Sequence, residues 1–132
     1  MASRGVSALQ VLFPFLVVLF LISGHGVSAG ITCQTSGASP SAVDANGCAT
    51  FLVNKGNTDC CQNDCASSNA CTQMCSDGTA ASAICGVCGQ CVTCQAAGNY
   101  LGSLIENCQS NGQVGGYING FGNSLLVEVY HT

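Results

Sequence analysis

The chain has 132 residues with 12 cysteines, 17 glycines, no tryptophan, and only two basic against six acidic side chains, for a formal net charge of −4. Without a basic surface to displace counterions, nucleic acid is excluded as a partner, and so is electrostatic capture by anionic lipid. The remaining polar surface is built from Ser, Thr, Asn, Gln and Gly, a neutral coat compatible with secretion into a wall-like or apoplast-like space.

Arg4, an apolar run from Val11 through Ile22, and the small residues Val27 and Ala29 form the pattern of a secretory signal, with cleavage expected between Ala29 and Gly30. A permanent membrane anchor is disfavoured. The run is shorter than the ~20 residues that span a bilayer, and Pro14 interrupts it. Residues 1–29 are therefore expected to be a signal peptide and 30–132 a single cysteine-rich domain, secreted, extracellular and monomeric. Every cysteine lies after residue 29. An even number of cysteines on an oxidising route reads as a disulfide scaffold. Large apolar side chains after the signal are few, so the core needs staples, each contributing about 2–4 kcal/mol.

In chain order, Gly30–Cys33 reads as a short strand, 36–41 as a loop, Asn46-Gly47 as a turn, and Cys48–Val53 as a second strand closed by the Asn54–Asn57 loop. Thr58 and Asp59 look like the start of a helix. On a helical wheel Cys60, Cys61, Cys65, Cys71 and Cys75 fall within about 140° of one another, which predicts a cysteine-bearing helical face, the alternative being two short helices divided at Ser67–Asn69. A helix capped by Asn99 follows, with Tyr100, Leu101, Leu104, Ile105 and Cys108 on one stripe. Gln113–Ile118 is a strand candidate, Asn119–Asn123 a hairpin loop, and Ser124–His131 the clearest strand, with Leu125, Val127 and Val129 facing the core.

Between these segments lie Cys85, Cys88, Cys91 and Cys94, spaced every third residue. Overlapping C-x-x-C suits an iron–sulfur or zinc site, and the run resembles a bacterial ferredoxin signature. It departs from that signature in its last gap and in having Gln95 where a proline follows. A thioredoxin-like site needs one C-x-x-C at a helix start, and three overlapping copies specify none. Neither a metal ligand set nor a cofactor is expected. The preferred reading is a disulfide hub: steps of three aim the sulfurs in several directions, so the ladder is expected to reach the Cys60–Cys75 face, Cys33, Cys48 and Cys108. It would thereby clamp the N-terminal strands to the closing helix and hairpin. Spacing leaves the pairing open, although the adjacent Cys60 and Cys61 should go to different partners.

No catalytic constellation is visible, and no enzyme is expected. After the signal the only histidine is His131, beside the C-terminus. Asp44, Asp59, Asp64, Asp77, Glu106 and Glu128 sit in settings that suit solvated charges better than a catalytic pair. No EF-hand, P-loop, HExxH or N-glycosylation motif occurs. Lys55, the one base after residue 29, lies on a Gly/Asn-rich loop and is the candidate target-binding residue.

The last third, Leu101-x-x-Leu104-Ile105-x-x-Cys108, Gly115-Gly116-Tyr117 and Leu126-Val127-Glu128-Val129-Tyr130, resembles the closing helix, cysteine and strand of the smut-fungus viral killer toxins and their small secreted homologues. Gly30-Ile31-Thr32-Cys33 resembles their mature start. The resemblance implies a small disulfide-rich α/β sandwich of the α+β class, an antiparallel sheet with about two helices packed on one side. The residue patterns agree, giving two helical segments and four or five strands. It also implies an antifungal or effector activity exerted by binding a target-cell surface protein or wall component, with interference at calcium channels and a basic loop residue important for it. Lys55 is the only possible counterpart of that residue, and this chain is acidic where those toxins are basic. The alternatives are a non-toxic structural or wall-associated secreted protein and a metal-binding cysteine-rich protein. Alkylation and intact mass separate scaffold from thiolate store: no adduct is expected on the oxidised protein, and all 12 cysteines should react after reduction.

Overall fold

The computed structural model describes residues 30–121 and 124–132, so the expected signal segment, and Gly122 and Asn123 of the expected hairpin loop, lie outside the described residues. Ser41 opens the first helix: its side chain accepts a hydrogen bond from the Val43 amide at 3.1 Å, and Asp44 occupies the first turn. Helix α1 then runs Ala42–Asn54 and buries Ala42, Ala45, Cys48, Ala49 and Leu52. That three-to-four spacing overturns the expected turn at Asn46-Gly47 and the strand at Cys48–Val53. Gly47, Thr50, Phe51 and Val53 favour other conformations locally, but a stripe of small residues lets the helix pack close, and burial outweighs propensity. At Gly47 the Asp77 carboxylate lies where a Cβ would stand, so a larger residue there has that exposed side chain to displace.

Helix α2 spans Cys94–Cys108 and starts earlier than Asn99, capped by the Thr93 hydroxyl, which accepts from the Ala96 amide at 3.1 Å. The expected stripe holds, with Leu101, Leu104, Ile105 and Cys108 buried and Tyr100 half-buried. The two helices touch through Gly98, where an added Cβ would lie 2.7 Å from the Ala49 carbonyl oxygen of α1.

Both helices pack against a five-stranded antiparallel sheet formed by β1 (Gly30–Cys33), β3 (Cys71–Asp77), β4 (Ala80–Cys85), β6 (Gly116–Asn119) and β7 (Leu126–His131), in the order β1-β6-β7-β4-β3. This is the expected small α+β fold. Helix α1 covers β3 and β4, and α2 covers β1, β6 and β7. Along β7 and the residue before it the alternation is as read from sequence, with Leu125, Val127 and Val129 buried, and Leu126 and Glu128 only partly so. A bulge between Gln73 and Cys75 turns Cys75 inward, where it bonds Cys48 of α1. Cys33 of β1 bonds Cys108 of α2. One disulfide therefore bolts each helix to the sheet.

The segment from Cys60 to Cys75 is not a helix. It contributes β2 (Asp59–Cys61), a loop, and β3, and β2 pairs with β5 (Cys91–Thr93) in a separate two-stranded sheet. Its Ser, Thr, Asn and Asp residues compete for backbone hydrogen bonds and are poor helix interiors, so the shared helical face of the five cysteines was a coincidence of spacing. The ladder takes its partners from this segment alone: Cys60–Cys94, Cys61–Cys91, Cys65–Cys88 and Cys71–Cys85, nested one inside the next. Cys33, Cys48 and Cys108 are bonded elsewhere, so the ladder does not clamp the N-terminus to the closing helix. Cys60 and Cys61 do go to different partners, as expected from their adjacency. All 12 cysteines are paired.

Inside the nest sits Gln62, fully buried. Its Nε2 donates to the carbonyls of Asp64 and Ala70 at 2.7 Å and of Gly86 at 3.1 Å. Its Oε1 accepts from the Asp64 amide and the Thr72 hydroxyl, both at 2.7 Å. Replacing Gln62 by Leu takes the side-chain donor from the Asp64 and Gly86 carbonyls, at ~1–3 kcal/mol for each group left unpaired before relaxation, whereas the Ala70 carbonyl keeps the Gly86 amide and the Asp64 amide keeps the Thr72 hydroxyl. The expected outcome for Gln62→Leu is a loss of about 2–4 kcal/mol in denaturant unfolding with disulfides intact, and faster amide exchange at Asp64 and Gly86.

Candidate functional site

Lys55 forms the C-cap of α1 rather than the middle of a loop between strands, and Gly56, with φ at 59°, turns the chain away from it. Its ammonium lies 4.8 Å from the centroid of the Phe51 ring, one helical turn back. Phe51 is 48% exposed and Val43, two turns further back, is 79% exposed. Val43, Gly47 and Phe51 repeat every fourth residue, so they share the outer face of the helix. Beside them runs a groove of about 340 Å³ between Gly47 and Phe51 on one wall and Gln73–Asp77 of β3 on the other. Met74, half-buried, lies in that groove. Apolar side chains thus occupy the centre of this strip, with a cation at one end.

The other end is acidic and fixed. The Asp44 carboxylate accepts from both the amide and the hydroxyl of Thr79 at 2.7 Å, pinning α1 to the β3–β4 turn. Those two hydrogen bonds, the backbone one foremost, hold its pKa below the usual carboxylate value. Sequence inspection missed Phe51 and Val43 because Phe51 was read within a strand. The four-residue spacing from Val43 to Phe51 was the available signal.

On the opposite side of the sheet, away from the helices, Glu128 of β7 stands directly across from Tyr117 of β6 and Ala83 of β4. It is the one carboxylate here whose pKa is raised, by burial. Tyr130, whose hydroxyl donates to Gln73 at 3.2 Å, is raised too, first by burial and then by the neighbouring Glu128 charge. A Glu128 carboxylate oxygen and the sulfurs of Cys71 and Cys85 all lie within 4.8 Å of one another. Those sulfurs are joined in a disulfide, so they are not thiolate ligands. Among the described residues no other group of metal-ligand side chains is brought together. His131 lies exposed, its Nδ1 2.7 Å from the Thr132 carbonyl oxygen.

No family model matches the chain, and no curated protein does so at a significant level. No helix among the described residues is long and apolar enough to cross a membrane.

Glu128 and Asp44 predict opposite pH behaviour. A carboxyl with a raised folded pKa contributes stability that is complete below its unfolded pKa and lost as pH rises through the folded one. Glu128→Gln should therefore melt higher than the parent at neutral pH and at the same temperature near pH ~3. For Asp44, whose folded pKa is depressed, the contribution is present above the unfolded value and disappears as acid titrates the carboxylate. Asp44→Ala should melt lower at neutral pH, by a margin that shrinks on acidification. Thermal melts across pH check both.

Proposed function

We propose that this small disulfide-stabilised protein is secreted and acts, like the killer toxins its termini resemble, by binding a component of a target-cell surface. The binding surface is the outer strip of α1 with the adjoining β3 groove. The observation that carries the reading is the stacking of Lys55, the only base after residue 29, on the exposed ring of Phe51. An exposed aromatic ring with an ammonium over its face joins a large apolar contact area to a positioned charge, the combination a partner surface can recognise without a basic field. The six disulfides support an extracellular setting, where such cross-links persist.

Within that reading, a surface protein such as a calcium channel is the partner class implied by the toxin resemblance. Strong binding has to come from apolar contact and a single cation rather than from a basic field.

Growth of susceptible fungi, with and without added calcium, tests the proposal. The protein is expected to inhibit at micromolar concentration and calcium to relieve the inhibition. Phe51→Ala and Lys55→Ala, both at exposed positions, should each reduce potency about tenfold or more while leaving the melting temperature within a few degrees of the parent. Absence of inhibition at micromolar protein would count against the toxin activity. Full potency in both variants would count against this surface.

A further inference from the structure

The outer face of the sheet carries a second concavity, and we infer that it is a binding groove for a neutral oligosaccharide. It encloses about 550 Å³ and lies on the side of the sheet that the helices leave uncovered. The Cys71–Cys85 disulfide and Leu126 give it an apolar floor, and the Tyr117 ring stands beside Glu128 on the neighbouring strand. Gln34 and Asn69 are among the neutral polar groups of its rim.

The lining selects the ligand class. Its one charged side chain is Glu128, and the only base after residue 29, Lys55, is on α1 in the other layer. A phosphate, sulfate or uronate therefore meets a lone carboxylate with no cation to offset it. An ammonium group would satisfy the carboxylate but fills little of the volume, and amide rims offer a bare cation less than a ring of acids would. A pyranose matches the rest: one face of C–H groups to lie on Leu126, the disulfide and the tyrosine ring, and an edge of hydroxyls that donate and accept.

Glu128 supplies the specific interaction. It is half-buried, and no described side chain or backbone group donates a hydrogen bond to it. Two adjacent sugar hydroxyls donating to its oxygens take the place of water on a carboxylate that has no donor from the protein, and charge-assisted bonds of this kind are about twice as strong as neutral ones. The amides of Gln34 and Asn69 exchange further hydrogen bonds with hydroxyls along the chain. This groove is separate from the α1 strip, so the two sites can be occupied independently.

Titration of the ¹⁵N-labelled oxidised protein with four hexamers tests the inference: laminarihexaose and chitohexaose, both neutral, chitosan hexamer, cationic, and hexagalacturonate, anionic. A neutral hexamer is expected to saturate and to shift the amides of Tyr117, Leu126 and Glu128. Tyr117→Ser and Glu128→Ala should each weaken that binding tenfold or more, and Thr50→Ala, on the exposed face of α1, should not. Should Tyr117→Ser lose its amide dispersion, Glu128→Ala decides alone, since it removes only a half-buried carboxylate. Three results would overturn the inference: neither neutral hexamer saturating by about 10 mM, where affinity falls below ~3 kcal/mol; tighter binding of either charged hexamer than of both neutral ones; or undiminished binding by Glu128→Ala.

Discussion

The four nested cross-links between Cys60–Cys71 and Cys85–Cys94, closed around the side chain of Gln62, are the constraint on which the middle of the molecule depends. The loops there carry almost no large apolar side chains, so burial cannot hold them. A single disulfide closing a loop of such length removes about 3 kcal/mol of unfolded-chain entropy. Nested closures do not add in full, because once Cys60 is tied to Cys94 the ends of each inner loop are already near one another. Their larger effect is to forbid local opening. With opening forbidden, the backbone groups of two irregular loops become a fixed set, and one amide side chain can satisfy four of them together with the Thr72 hydroxyl.

That arrangement also explains how the ladder is built. Cys85 ends β4, Cys88 sits in a turn between Gly86 and Gly89, both at positive φ, Cys91 opens β5, and Cys94 opens α2. A strand end, a turn, a strand start and a helix start at four successive cysteines aim their sulfurs at four successive partners along an antiparallel neighbour. The regular spacing is a property of the chain and not of any helix or strand. Gly86 is fixed twice over, by its φ of 130° and by the Ser124 carbonyl, which occupies the place of a Cβ.

The legible parts of the fold were those where one local pattern meets one environment. The alternation in β7 and the stripe in α2 could be read because Leu, Ile and Val are scarce here, and each one present marks the core. Helix α1 was illegible for the converse reason. Its buried face is mostly Ala and Cys, which are neutral as signals, while its conspicuous residues, Val43 and Phe51, point to solvent. The false helix over Cys60–Cys75 has the same origin: cysteine position was weighed as if it were hydrophobic periodicity, although a half-cystine is placed by its partner and not by a face. At the candidate site, scarcity drew attention to Lys55, but its ring partner Phe51 depends on α1 being a helix and was lost with it.

Both candidate surfaces draw on this rigidity. The α1 strip is anchored at its acidic end by Asp44 on Thr79 and beneath by Cys48–Cys75, and the sheet groove has a disulfide as part of its floor. A protein with one base after residue 29 has little long-range field to steer a partner or to hold it once bound. Affinity must then come from short-range contact, and that is diminished by every side chain or loop that has to be ordered on binding, at about 0.5–1.5 kcal/mol for each flexible side chain. Cross-links that hold the strip and the groove in place before the ligand arrives remove much of that cost. The high cysteine content and the low charge are therefore linked: surfaces that cannot attract at a distance gain most from being already in the shape that binds.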